Sequence, residues 1–85
     1  MARADGLPNK QWVSVGGGSR YFRTTPPREG ALRLEIQLLG DVWYAWCQGV
    51  PESIDVGRQD VNHPTAWHAS KAAEAMAART RGGVR

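Results

Sequence analysis

The sequence predicts an α+β fold: an antiparallel sheet of four to five strands with one C-terminal helix packed on one face. Three observations carry this. "ALRLEIQLLG" places Leu32, Leu34, Ile36 and Leu38 at alternate positions, the period of a half-buried strand. Gly40-Asp41 then separates two β-prone runs, as a two-residue hairpin loop does. "ASKAAEAMAARTR" (69–81) is dominated by alanine, the strongest helix former, with Met, Lys, Glu and Arg around it.

Taken in order, residues 1–10 read as a flexible N-terminal arm, polar with Gly and Pro. Residues 11–80 form the single sheet-plus-helix domain, and residues 81–85 a flexible tail. "QWVSV" is short and β-prone. "GGGS" (16–19) is a breaker that suits a hairpin loop. "RYFRTT" reads as a strand, and "PPREG" (26–30) stops it, because proline fixes its own φ and donates nothing to a ladder.

A type II′ turn at Gly40-Asp41 sets the register of the next hairpin. Leu39 faces Val42, Leu38 faces Trp43, Ile36 faces Ala45 and Leu34 faces Cys47. The latter three pairs share an apolar face with Leu32. The other face carries Arg33 with Gln48, Glu35 with Trp46 and Gln37 with Tyr44. The run "DVWYAWCQG" is thereby divided: Trp43 and Cys47 go to the core, Tyr44 and Trp46 to the polar face. "VPESIDVGRQDVNHP" (50–64) is turn-rich, with "SIDV" as a short edge strand. Ser70 is the expected N-cap of the helix, and Pro64 at an earlier N1 is the competing start. Ala69, Ala72, Ala73 and Met76 line one helical face, small enough to lie close on a sheet.

Composition narrows the function classes. Hydrophobic content of 41% with 22% charge is that of a globular chain, which sets aside wholesale disorder. No apolar run is long enough to cross a bilayer, and "MARADGLPNK" has no apolar stretch of a secretory signal. A single cysteine, unable to form an internal disulfide, fits a reducing cytoplasm. The net charge of +3 resides in the ends: from Gln11 to Ala78 six bases face seven acids, a net of −1. A dedicated duplex-binding body would carry the opposite sign.

No enzyme is expected, and no cofactor or metal. "VGGGSR" lacks the Lys-Ser/Thr of a phosphate loop, and Tyr21 stands where a dinucleotide fingerprint wants its third glycine. Asp60, His63 and His68, with Cys47, match no paired zinc spacing. Cys47 falls on the core face, where a thiol acts as a small hydrophobe, and Ser70 is accounted for as a cap.

Two binding surfaces remain. Tyr44 and Trp46, with Arg33 and Glu35 beside them, have the composition of a protein-binding hot spot. The competing arrangement folds the first hairpin, with Trp12 and Phe22, over those rings; a homodimer is a third way to cover them. The alternative surface is nucleic-acid binding by Arg20, Tyr21, Arg23, Arg28 and Arg33, arginines interleaved with aromatics.

"DVWYAWCQG", the loop after it and "WHASKAAEAMAA" resemble the N-terminal arm-binding domains of phage-type integrases, with Trp67, Ala73 and Met76 at the aromatic, alanine and apolar positions of that pattern. The Lys/Arg-rich strands of that family are absent. In make-up the chain resembles the small proteins of phages and prophages from high-GC bacteria, anti-CRISPR and other anti-defence inhibitors among them. That resemblance implies a non-catalytic protein that docks on a bacterial protein or nucleoprotein complex in the host cytoplasm and inhibits or modulates it.

Overall fold

The structure, a computed structural model, describes residues 11–15, 17–58 and 65–82. The strands are β1 (Val13–Ser14), β2 (Arg20–Thr24), β3 (Arg33–Leu39), β4 (Val42–Cys47) and β5 (Ile54–Arg58), followed by α1 (Thr65–Gly82). They make one antiparallel five-stranded sheet in sequence order, β1-β2-β3-β4-β5. The α+β class read from the sequence is the fold that forms. The arm, residues 1–10, lies outside the described residues.

The β3–β4 hairpin has the register that its alternation dictates: Leu34 opposite Cys47, Glu35 opposite Trp46, Ile36 opposite Ala45, Gln37 opposite Tyr44. Gly40 takes φ +69°, while Asp41 does not enter positive φ. A positive φ at the first central residue alone is what a type II′ turn requires. Beyond the ladder, Gln48 N–H donates to Arg33 O at 2.8 Å, extending the pair by one step.

Between β2 and β3, "PPREG" forms a short 3-10 turn over Pro27–Glu29, ended by Gly30 at φ +99°. Thr25 closes this loop: its N–H donates to Leu32 O, and its Oγ1 accepts from Leu32 N–H, both at 2.8 Å. Leu32 therefore packs against the core from just outside the strand.

β5 pairs with β4 through a register shift. Tyr44 faces Asp55 but Val42 faces Arg58, so β5 carries one extra residue, and Gly57 lies there at φ +71°. A glycine in the left-handed region is the residue a G1-type bulge takes.

The helix starts earlier than its alanine periodicity suggests. It begins at Thr65, so Ser70 is not an N-cap. Ser70 is fully buried in the second turn, and its Oγ donates to Trp67 O at 2.6 Å. The helix also runs through Gly82, two residues into the stretch read as a tail.

α1 lies on one face of the sheet. The core joins Tyr21, Leu34, Ile36, Trp43, Ala45 and Cys47 from the strands to Ala66, Ala69, Ala73, Met76 and Ala77 from the helix, with Trp12 at the margin. Alanine on the inward stripe brings the helix close to the sheet, so Leu34, Ile36, Cys47 and Met76 lose essentially all contact with solvent. Burying the apolar atoms of these side chains is the main favourable term in forming this layer pair.

Candidate functional site

Strand alternation assigns each side chain to the helix face or the open face. β2 is paired so that Tyr21 lies opposite Ile36 and Arg23 opposite Leu34. Tyr21 and Arg23 are thus on the helix side. Tyr21 is buried, with its ring 6.3 Å from that of Trp43. Arg23 Nη1 lies 3.0 Å from Glu74 Oε2, and only 11% of its side chain is exposed. The expectation that both residues contact nucleic acid is therefore corrected: one is core and the other is a strand-to-helix tie. Of that set, Arg20 and Arg33 stand on the open face and Arg28 is exposed on the 3-10 turn. Glu74 of α1 turns toward β2 to accept from Arg23.

The first hairpin does not fold over Tyr44 and Trp46. β1 extends the sheet beside β2, with Val13 opposite Phe22, and Trp12 turns to the helix side, where its Nε1 donates to Glu74 Oε2 at 3.2 Å. Tyr44 and Trp46 stay on the open face, each half-buried by its neighbours.

The open face is built in rows across the strands. One row runs Val13, Phe22, Glu35, Trp46; the next runs Arg20, Gln37, Tyr44, Asp55. Glu35 is the hub of the first: Arg33 Nε donates to its Oε2 at 2.8 Å, and Arg20 Nη2 lies 3.4 Å from its Oε1. The Arg33 guanidinium also sits over the Phe22 ring, 4.2 Å from the centroid, a cation–π stack that holds the fork flat on the sheet. Four residues named from the sequence, Arg33, Glu35, Tyr44 and Trp46, thus share one surface. Phe22 and Leu39 belong to it as well; Leu39 is 52% exposed. Strand parity from the β3–β4 register would have placed Leu39 there.

Between the rings the face is concave. Glu35, Ile36, Gln37, Leu39, Tyr44, Trp46 and Ser53 line a cavity of about 500 Å³. That is ample for one or two side chains of another molecule, and its mix of two aromatics with a few convergent polar groups is that of a binding cleft. A smaller cavity of about 170 Å³ lies at the sheet–helix seam, lined by Arg23, Thr25, Glu29, Leu34, Glu74 and Ala77. Its one base, Arg23, is already paired with Glu74, and Glu29 leaves the lining with one acid in excess.

The residues considered for catalysis or metal binding do not converge among the described residues. Cys47 is fully buried, its Sγ 3.4 Å from Gln48 O, and burial pushes its thiol pKa up, away from nucleophilic use. His68 is exposed on α1, its ring 5.1 Å from that of Trp67. Asp60 and His63 lie outside the described residues. No helix among the described residues is long and apolar enough to cross a membrane. No protein-family model, no curated protein and no solved structure matches this chain.

Proposed function

We propose that this is a non-catalytic binding protein of the phage or mobile-element type, which docks through its open sheet face on a bacterial protein or nucleoprotein complex in the cytoplasm and inhibits or modulates it, as anti-CRISPR proteins do. One observation carries the docking: Tyr44 and Trp46 flank a cavity of about 500 Å³ on the face opposite the helix, and neither the first hairpin nor α1 covers them. Half-buried aromatics beside arginines are the residues that anchor interfaces, since they add large contact area for little lost side-chain freedom. The mobile-element assignment rests on size, the Ala/Arg/Gly bias and the sheet-plus-helix build.

The test is capture from bacterial lysate, with and without nuclease, by the native protein and by a Tyr44→Ala/Trp46→Ala double variant. A partner retained after nuclease and lost with the two rings supports the reading. A folded double variant that keeps full affinity for that partner sinks it.

A second reading is single-stranded nucleic-acid binding on the same face. It is favoured by Arg20, Arg33 and Phe22 sharing that surface with Tyr44 and Trp46, an arrangement suited to phosphate contact and base stacking. Gel-shift titration against salt decides it: each phosphate contact releases counterions, so affinity must fall steeply as salt rises. Absence of binding at low salt removes this reading.

A further inference from the structure

The open face is polarised, and its polarity specifies what it takes. The row Arg20, Gln37, Tyr44, Asp55 crosses four strands, with a base at one end and an acid at the other, about 14 Å apart at the usual spacing of strands. Near the basic end Arg20 and Arg33 share the single acid Glu35, a local excess of one positive charge, and their side chains are 49% and 45% exposed. A guanidinium carries five N–H donors, and Glu35 engages one from each arginine. Each half-exposed guanidinium therefore has more donors than Glu35 takes, and paired guanidinium donors are what grip a carboxylate. Next to them lies the cavity of Leu39, Tyr44 and Trp46. At the far end Asp55 is exposed and has no ion-pair partner among the described residues, and Glu52 stands exposed in the loop before β5.

Resting on the docking reading above, we infer that the partner presents an acidic–apolar peptide segment: a carboxylate seated on Arg20 and Arg33, and an aliphatic or aromatic side chain in the Tyr44–Trp46 cavity. In an extended segment, side chains two residues apart point the same way, separated by about 6.6 Å, so a carboxylate and an apolar side chain at that spacing can face the surface together. A nucleic-acid strand long enough to cover both rings carries further phosphates toward Asp55 and Glu52, where they are repelled. A peptide with one carboxylate meets no such penalty, and this favours a protein segment over a polyanion.

The experiment is a low-salt titration of the isotope-labelled full chain, followed by nuclear magnetic resonance. The probes are a capped peptide Ser-Glu-Ser-Leu-Ser, the same peptide with lysine for glutamate, and a short oligothymidylate. The glutamate peptide is expected to move the Trp46 indole N–H and Tyr44 resonances. It should bind about five- to tenfold more tightly than the lysine peptide, the worth of one exposed charge-assisted contact. An Arg20→Gln/Arg33→Gln variant should abolish or reverse that preference; both side chains are half exposed, and the same spectrum reports that the fold persists. Equal or better binding of the lysine peptide, or a preference that survives in the variant, overturns the inference and leaves the docking face standing. If neither peptide moves the face, the inference falls, and the docking reading is decided separately by the capture with the Tyr44→Ala/Trp46→Ala variant. Tighter binding of the oligothymidylate with steep salt dependence overturns the inference in favour of nucleic acid.

Discussion

Arg23 on β2 donates to Glu74 on α1: Nη1 lies 3.0 Å from Oε2, and the same oxygen accepts the indole N–H of Trp12 at 3.2 Å. One carboxylate oxygen thus fastens two strand-side residues to the helix. Arg23 is nearly buried, so removing its acceptor leaves a cation with little water to replace it. Glu74→Ala should destabilise the fold by about 2 kcal/mol, less than a fully buried pair because a quarter of the Glu74 side chain is exposed. Lys71, 3.8 Å from Glu74 and half exposed, adds little to this. Replacing both members, Arg23→Met with Glu74→Leu, should recover most of the loss in a urea melt, since no charge is then stranded. A double variant as weak as the single one would show that the pair is worth more than its desolvation.

The two faces of β3 should respond very unequally to shortening. Leu34 has no exposed surface, whereas Leu39, on the other face, is 52% exposed. Leu34→Ala should cost about 3 kcal/mol through lost burial and the cavity left behind, and Ile36→Val about 1 kcal/mol. Leu39→Ala should shift stability by less than ~0.5 kcal/mol. Urea midpoints of the three variants check this ordering.

Ala31 sits at φ +49°, the only non-glycine residue at positive φ among the described residues, directly after Gly30 at φ +99°. An alanine Cβ crowds the following carbonyl in that region. Ala31→Gly should relieve the strain and stabilise the protein by about 0.5–1 kcal/mol, after allowing for the added freedom of the unfolded chain. The expected readout is a Tm higher by roughly 3–6 °C for a domain this size. A lower Tm would show that the loop, not Ala31 itself, sets this conformation.

Cys47 couples stability to pH. Burial raises its thiol pKa above the ordinary value, so the folded state holds the proton more tightly than the unfolded chain does. The contribution is fully present below the unfolded thiol pKa and is lost as pH rises from there through the folded value. Stability should therefore decline above about pH 9 in the native protein, and that decline should be shallower in Cys47→Ala. A disulfide reagent should also label Cys47 slowly at pH 8 and rapidly in denaturant.

The β3–β4 hairpin was legible in the sequence because two independent signals agree there. Period-two apolarity fixes which side chains share a face, and Gly40 fixes where the chain reverses. β2 offered no such agreement. In "RYFRT" each face receives one aromatic and one arginine, so alternation does not say which ring is core. Pairing with β3 and the distant acceptor Glu74 decide it, and both are tertiary. The helix start was obscured for a similar reason. Ala66 continues the inward stripe of α1, but a serine just before a run of alanines mimics a cap. The open-face pairing of Arg33 with Glu35 follows from strand parity; the stacking of Arg33 on Phe22 depends on the register between two separate hairpins.

The extra residue at Gly57 has a consequence for the protein in quantity. A sheet's outer strand is a template on which other chains can add, and long regular edges seed fibres. Here β5 is interrupted by its bulge, and the opposite edge, β1, is two residues long. Among the described residues, neither side offers an uninterrupted row of backbone donors and acceptors. The molecule can thus carry an aromatic face open to solvent while both described borders of its sheet resist stacking into aggregates as it accumulates.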